Sequence, residues 1–415
     1  MWKANESNDS LQNPGRADID PTYRQDLDWL AELLGYPIGT GAAANQVSYL
    51  GRPTSNSNGL SLLVPTGPRL VSAAALERFD DGRSRRQRVV DQVAAAVGQA
   101  GLLGHLPGPR FTLPRYDLIQ HLADVLNEPD IVGSITLGPH RRNRKPVIQL
   151  IAQSGRTVGY AKVGWSPTTT ALVNNEARIL RLVGPNTPNT LDIPTVIHSD
   201  VWRGLALVVT SSIQRSPLKQ RRSQPAPCPP SIVKSIASLV SPNEQRVADL
   251  AMVSQWRETS ETMASDTDFL PLLDRLVETH GDMVVPLGLW HGDLTAWNMA
   301  SGTPTSIWDW EFAAEGRPVG FDTLHQHFET HRRCRGGTNQ GAIDAVLAGA
   351  NSWLSSLAMG YDPATTNTIA DLYLAELLMR EHQLGAHQEH GNYLAGLGPI
   401  VRGRLSNRLK PGPSL

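Results

Sequence analysis

Short apolar stretches alternate with polar turns through the first half of the chain. Between residues 131 and 210 these stretches have the length of strands, and one segment with helical spacing interrupts them. The predicted strands cover residues 131–137, 147–152, 157–163 and 204–210, and the predicted helix covers residues 170–183. From residue 231 the apolar spacing is mostly helical, apart from a strand-like island at residues 287–312. The order predicts an α+β fold in which a small strand-rich unit precedes a larger helical one.

The segment before residue 126 has a different pattern. Residues 1–20 are polar and rich in Asn, Asp and Pro, which predicts a disordered terminus. Residues 23–34 have a helical pattern and residues 60–65 read as a buried strand, whereas Gly, Ser and Asn predict a loop over residues 37–59. The predicted domains are an accessory α/β module at residues 21–125, a strand-rich N-lobe at residues 126–212 and a helical C-lobe at residues 213–415.

Composition excludes several classes of protein. The 415 residues are 40% hydrophobic and 19% charged, which is typical of a globular protein. The net charge of −1 gives no reason to expect a nucleic-acid or membrane partner, and no apolar run reaches the ~18 residues that a transmembrane helix needs. The two cysteines form neither a disulfide framework nor a zinc site, so we expect a cytoplasmic protein. The oligomeric state stays open.

The clearest chemical signal is the segment His291-Gly-Asp293-Leu-Thr-Ala-Trp-Asn298. Asp293 and Asn298 have the spacing of a kinase catalytic loop. In such a loop the carboxylate orients the attacking hydroxyl group, and the amide oxygen ligates Mg²⁺. Taken alone, the spacing is also compatible with a turn in which the aspartate caps its own backbone.

The next segment adds acidic residues. Residues 306–312 read as a returning strand, whose alternation would place Ile307, Asp309 and Glu311 on one face and three aromatic residues on the other. Asp309 would then be a second Mg²⁺ ligand, since Mg²⁺ needs only one or two protein carboxylates beside phosphate oxygens. For Glu311, support of this site and a solvent-exposed salt bridge are both open.

A lysine and a glutamate in the strand-rich unit complement this motif. Lys162 shares a face of its predicted strand with Val158 and Tyr160, and Glu176 lies on the apolar stripe of the following helix. A buried carboxylate needs a partner, so the two side chains are expected to pair. The pair would aim the ammonium group at nucleotide phosphates, although a salt bridge without a function is the alternative.

Residues 130–330 resemble the aminoglycoside phosphotransferase and choline kinase-like family, which has a bilobal protein-kinase-like fold. The resemblance is carried by His291-Gly-Asp293, Asn298, Asp309-Trp-Glu311 and Gly316-x-Pro318-x-x-x-Asp322. It implies Asp293 as the catalytic base, Asn298 and Asp309 as Mg²⁺ ligands, and Lys162 with its partner Glu176 as the phosphate-binding pair. It also implies that residues 208–212, with Val208, Val209 and Thr210, form the hinge whose backbone contacts adenine.

The resemblance implies transfer of the γ-phosphoryl group of ATP to a hydroxyl group of a small molecule, such as a sugar, an amino alcohol or an aminoglycoside-like compound. The alternatives are a non-catalytic nucleotide-binding regulatory module and a protein kinase. The chain has no G-x-G-x-x-G motif, and little room for an activation loop lies between Asp309 and Gly316. These departures disfavour a protein kinase.

Several other polar residues have less specific interpretations. The turn with Arg141, Arg142, Arg144 and Lys145 either contacts the triphosphate or is simply solvated. His291 is expected to brace the catalytic loop, and Asp322 to hold backbone groups near it. His325 and His327 are two residues apart in a predicted helix, so they should face different directions, as surface or core histidines rather than metal ligands.

Overall fold

A computed structural model describes residues 20–35, 46–54, 59–76, 96–138 (apart from 99, 102, 104 and 105), 144–213, 227–262, 269–334, 337–385 and 396–410. The described residues form two compact units. The first contains the residues up to 76, those from 96 to 138, and residues 146–158. The second contains residues 144–145 and the residues from 159 onward. The predicted disordered terminus lies outside the described residues, except for Asp20, which caps the first helix.

The first unit is an antiparallel sheet with helices. Its elements are α1 (Pro21–Leu34), β1 (Gln46–Pro53), β2 (Leu60–Pro65), α2 (Arg69–Leu76), β3 (Arg110–Pro114), α3 (Asp117–Val125), β4 (Val132–Thr136) and β5 (Val147–Ile151). The strand order is β3-β1-β2-β4-β5. Side chains of β1, β2 and α2, including Leu50, Leu62 and Val71, pack into a core with Ile151. The predicted strands near 131–137 and 147–152 are therefore confirmed.

The predicted loop at residues 37–59 is wrong for the part that contains β1. This strand pairs with β2 on one side and β3 on the other. Gly51 and Pro53 belong to residue types that are depleted in strands, which explains the wrong prediction. Tyr49 is buried by neighbours distant in sequence, so tertiary packing outweighs the local composition. Because β4 and β5 belong to the same unit as β1, the division does not follow the predicted boundary at residue 125, and the predicted domains stay a prediction.

The second unit begins with a strand-and-helix segment. It holds most of β6 (Thr157–Gly164), followed by α4 (Pro167–Val183), β7 (Leu191–Asp192), β8 (Val196–Trp202) and β9 (Leu205–Thr210). The antiparallel order is β6-β9-β8. A capping box of Ser166 and Thr169 starts α4 three residues before the predicted position of residue 170. The edge strand β8 was not predicted, because most of its side chains are not buried and it lacks an apolar run.

The rest of the second unit is mainly helical. Its helices are α5 (Pro230–Ala237), α6 (Ala251–Thr262), α7 (Phe269–His280), α8 (Phe321–Glu329), α9 (Asn339–Ser355), α10 (Pro363–Gly385) and α11 (Leu397–Arg408). Its strands are β10 (Asn243–Arg246), β11 (Val284–Trp290), β12 (Met299–Ala300), β13 (Thr305–Ile307) and β14 (Ala314–Pro318). These elements share a large apolar core, so the α+β class is confirmed. None of the described helices combines the length and apolarity that crossing a bilayer requires.

Two small sheets hold the predicted strand-like island. The first has the order β10-β11-β14, and the second has the order β12-β13-β7 with β13 and β7 parallel. The predicted strand at residues 306–312 is too long, because β13 ends at Ile307 and residues Trp310–Phe312 form a 3₁₀ turn. The expected alternation of faces is also wrong, since Ile307 and Trp310 are both buried. Asp309 has a left-handed backbone with φ of +70°, which turns the chain between them.

Candidate active site

Helix α8 and helix α10 hold the loop that carries Asp293. The carboxylate of Asp322, in the first turn of α8, accepts hydrogen bonds from the backbone N–H groups of His291 (3.0 Å) and Gly292 (3.3 Å). From α10, the buried guanidinium of Arg380 donates to the carbonyl oxygen of Gly292 at 2.6 Å. The expected role of Asp322 is therefore confirmed, whereas the contribution of Arg380 was not foreseen.

The loop also depends on a glycine and a buried histidine. Gly292 has φ of +84°, and a Cβ atom there would lie 2.3 Å from the carbonyl oxygen of Phe312. His291 is buried, with Nδ1 accepting from the backbone N–H of Asp293 at 3.2 Å and Nε2 lying 3.1 Å from the carbonyl oxygen of Trp308. Burial lowers the pKa of His291 to about 4, so the ring is neutral at pH 7. These contacts agree with the expected bracing role.

Asp293 and Asn298 face each other across the loop. The Nδ2 group of Asn298 donates to the backbone oxygen and to Oδ2 of Asp293, both at 2.9 Å. Burial, aided by the charge of Asp309, raises the pKa of Asp293 to about 7, although Arg333 and Arg380 oppose the shift. The side chain is still 23% exposed, so a solute can reach the carboxylate.

Lys162 contacts acidic residues of two different segments, the helix α4 and the segment after β13. Its Nζ atom lies 2.6 Å from a carboxylate oxygen of Glu176 on α4 and 2.6 Å from Oδ1 of Asp309. Burial acts to lower the pKa of Lys162, but the carboxylates of Asp309, Glu176 and Glu311 outweigh it and raise the pKa above its usual value. The predicted Lys162–Glu176 pair is present, and the pair extends to the predicted metal ligand.

Asp309 and Glu311 differ in their exposure. Burial opposes ionisation of Asp309, but Lys162 and Lys145 overcome it and lower the pKa to about 2. The Asp309 side chain is 33% exposed, whereas Glu311 is buried and forms an ion pair with Lys145. The prediction of a solvent-exposed salt bridge for Glu311 is wrong, because the carboxylate is buried. The prediction of a solvated turn is wrong at Lys145, because that side chain is buried as well. Arg141 and Arg142 lie outside the described residues.

A side-chain amide holds α4 against the segment after Asp309. Nδ2 of Asn175, next to Glu176 in sequence, donates to the carbonyl oxygens of Glu311 at 3.0 Å and Ala313 at 2.9 Å. The helix packs on the 3₁₀ turn Trp310–Phe312 and on β9. The position of Glu176 relative to Asp309 is thereby set by a backbone contact as well as by the shared lysine.

The residues present fit a divalent cation that prefers oxygen ligands. One carboxylate oxygen from each of Glu176, Asp309 and Glu311 lies within 4.8 Å of the others, and Lys162 and Lys145 supply two positive charges to the same cluster. Asn298 uses its Nδ2 group to hold Asp293, so its amide oxygen Oδ1 can serve as a metal ligand. A partly exposed carboxylate and an amide oxygen suit Mg²⁺, which keeps several of its other ligands from water or phosphate.

The predicted hinge residues lie on β9, beside the strand that carries Lys162. Val208 is opposite Lys162 in the antiparallel register, and Thr210 is opposite Tyr160. Val208, Val209 and Thr210 are buried, which disfavours side-chain contacts with a ligand, and β9 pairs with β6 on one side and with β8 on the other. A backbone contact with adenine would therefore have to use groups that these strand pairings leave over. That contact stays a prediction.

His325 is a buried histidine whose position beside Asp293 was not predicted from the sequence. Its Nε2 atom lies 3.4 Å from Oδ1 of Asp293, and its Nδ1 atom lies 3.0 Å from the hydroxyl of Tyr373 on α10. His327 does face elsewhere, as expected, and stacks on Trp353 with ring centroids 3.7 Å apart. The signal was available: His325 follows Asp322 by three residues, so both lie on the same face of α8.

No protein-family model and no curated protein sequence matches the chain. Among solved structures, an amicoumacin kinase in complex with AMP-PNP, Ca²⁺ and Ami matches with a TM-score of 0.44 and 11% identity, over 71% of this chain and 96% of that one. A choline kinase from Streptococcus pneumoniae matches with a TM-score of 0.43 and 12% identity, over 70% of this chain and 97% of that one. A GDP complex of an aminoglycoside 2′-phosphotransferase matches with a TM-score of 0.40 and 14% identity, over 69% of this chain and 98% of that one. Each of these TM-scores is below 0.5, so the proposed function rests on this chain's own residues.

Proposed function

We propose that this chain is an ATP-dependent phosphotransferase that moves the γ-phosphoryl group of ATP to a hydroxyl group of a small molecule. The observation that carries the proposal is the bridge that Lys162 forms between Glu176 and Asp309, residues far apart in sequence. In phosphoryl-transfer enzymes of the kinase type, a lysine paired with a glutamate contacts the nucleotide phosphates beside a metal-binding aspartate. The same unit holds Asp293 in a fixed loop, so a candidate base accompanies this pair.

Asp293 would orient the acceptor hydroxyl group and take its proton. A pKa of about 7 suits a group that must exchange a proton near neutral pH. Lys162 would contact the α- and β-phosphates, with Glu176 holding the ammonium group in position. Backbone groups of the predicted hinge, residues 208–212, would contact adenine.

Asn298 and Asp309 would hold Mg²⁺. When bound, the ion neutralises negative charge on the phosphate oxygens during transfer. Asn298 has a second task, since its Nδ2 group orients the carboxylate of Asp293. Most of what the protein contributes is therefore positioning and electrostatic stabilisation, as phosphoryl transfer requires.

The proposed acceptor is a sugar, an amino alcohol or an aminoglycoside-like compound, as the resemblance implies. The proposal is tested by ³¹P NMR of the protein with Mg·ATP and pooled compounds of these three kinds. We expect a new phosphomonoester signal that Asp293→Asn reduces by about 10²–10⁴-fold, the usual contribution of a general base. Asp282→Asn, which changes a fully exposed side chain before β11, is the matched control and should keep the signal.

Other outcomes separate the alternatives. Nucleotide binding without a new phosphorus signal would favour the non-catalytic regulatory module. Phosphate incorporated into added protein instead of a small molecule would favour a protein kinase. A signal of equal size in Asp293→Asn would refute the role proposed for Asp293.

A further inference from the structure

The Asp293 carboxylate is held from two sides by side chains of different segments. Asn298, from the same loop, donates to Oδ2 at 2.9 Å. His325, from α8, approaches the other oxygen, Oδ1, with its Nε2 atom at 3.4 Å. Asp322 holds the same loop from the same face of α8. The helix therefore fixes both the backbone of the loop and the direction of its carboxylate.

The protonation state of His325 follows from its surroundings. The side chain is 1% exposed. Burial, together with the positive charge of Arg380, lowers the pKa of His325 to about 3, so the ring is neutral near pH 7. A neutral imidazole has one N–H donor and one acceptor nitrogen.

The contact with the carboxylate selects one tautomer of the ring, and the contact with Tyr373 is compatible with that tautomer. Nδ1 lies 3.0 Å from the hydroxyl of Tyr373, which can donate a hydrogen bond to it. Nε2 faces the carboxylate of Asp293, which is an acceptor when ionised. With the proton on Nδ1, a lone pair of Nε2 would face Oδ1, and the two would repel each other. Nε2–H is therefore the favoured tautomer.

We propose that His325 is a positioning residue of the phosphoryl-transfer reaction, donating Nε2–H to Oδ1 of Asp293 and accepting at Nδ1 from the hydroxyl of Tyr373. The proposal rests on the proposed function above. At 3.4 Å the contact is longer than an ordinary N–H···O hydrogen bond, and catalytic hydrogen bonds commonly shorten in the reacting complex. The consequence is a carboxylate that cannot rotate away from the acceptor hydroxyl group.

The kinetic test compares substitutions that keep or remove the donor. Turnover is measured as Mg·ATP hydrolysis, in which water takes the place of the unidentified acceptor. We expect His325→Leu to lower kcat about 10–100-fold through misplacement of the carboxylate, with KM for ATP unchanged within about twofold. His325→Gln, which has an amide N–H donor, should recover at least part of the loss, and Tyr373→Phe should lie between wild type and His325→Leu. His327→Gln, two residues away and stacked on Trp353, is the control and should match wild type.

A fall in kcat of less than about twofold in His325→Leu, or no recovery in His325→Gln, would overturn the proposal. A second measurement needs no turnover. Long-range ¹H–¹⁵N NMR of the wild-type histidine rings, with His325 assigned by its absence from the His325→Gln spectrum, should show the Nε2–H tautomer at about pH 9, where Asp293 is ionised. An Nδ1–H tautomer or a charged ring would contradict the inference. If neither ATP hydrolysis nor a phosphomonoester product is detected, the proposed function fails, and the tautomer still decides whether His325 donates to Asp293.

Discussion

Replacing Lys162 by methionine tests whether the central ion bridge is a functional device or only a structural one. The substitution removes the ammonium group and keeps an unbranched apolar side chain in the same space. Three carboxylates lose a neighbouring cation, but they differ in how well water or another cation can take its place. Glu176 is 2% exposed, Asp309 has a side chain that is 33% exposed, and Glu311 keeps Lys145.

The cost is therefore expected to come mainly from Glu176. Removing one partner of a buried ion pair typically costs about 3–5 kcal/mol, and water can solvate Asp309, so we expect about 3 kcal/mol for Lys162→Met. Removing both partners of such a pair is often close to neutral, so Lys162→Met combined with Glu176→Gln should cost only about 1 kcal/mol. Urea unfolding followed by tryptophan fluorescence measures both values.

The same variants separate stability from function. The double variant should regain most of the stability but none of the Mg·ATP turnover, because the ammonium group that we propose to bind the phosphates is still missing. If the single and double variants lost the same free energy of unfolding, the assignment of the cost to Glu176 would be refuted. If the double variant recovered turnover as well, Lys162 would have only a structural role.

Three further predictions follow from the site. Asp309→Asn, which tolerates the left-handed backbone, should raise the Mg²⁺ concentration for half-maximal turnover by at least about tenfold in a magnesium titration; an unchanged midpoint would exclude metal ligation. Gly316→Ala should cost about 1–2 kcal/mol for its positive φ alone, whereas Gly292→Ala should cost clearly more because its Cβ meets Phe312; equal values in urea unfolding would contradict the packing argument. Burial raises the pKa of Asp322 to about 7, so its contribution to stability is full below about pH 4 and is lost as the pH rises through 7. Wild type should therefore lose more unfolding free energy than Asp322→Asn between pH 4 and pH 8, and parallel pH profiles would show that the raised pKa is absent.

The local chemistry of the site could be predicted because each residue type had few ways to be satisfied. Lys162 on an apolar strand face and Glu176 on an apolar helix stripe each needed a partner, and each became the other's. The spacing of Asp293 and Asn298 likewise gave a contact within one loop. Their catalytic and metal-binding roles stay predictions that the variants above test.

Contacts made across long sequence separations were beyond the pattern. The strand β1 forms because two partner strands flank it, although its own residues read as a loop. Strand periodicity failed after Ile307, because a left-handed residue at Asp309 breaks the alternation. The ion pair of Lys145 with Glu311 joins distant segments, and neither residue alone indicates it.

The carboxylates around Lys162 also determine its chemical reactivity. Acylating reagents attack only the neutral amine, and burial, which favours that form, is outweighed here by Asp309 and Glu176, so the pKa stays above its usual value. Of the lysines in the described ranges, the exposed Lys410 should be acylated readily, and Lys162 should be spared. An amine-directed probe would therefore label exposed lysines of this protein and pass over Lys162. Labelling of Lys162 would itself report that its acidic partners had moved away.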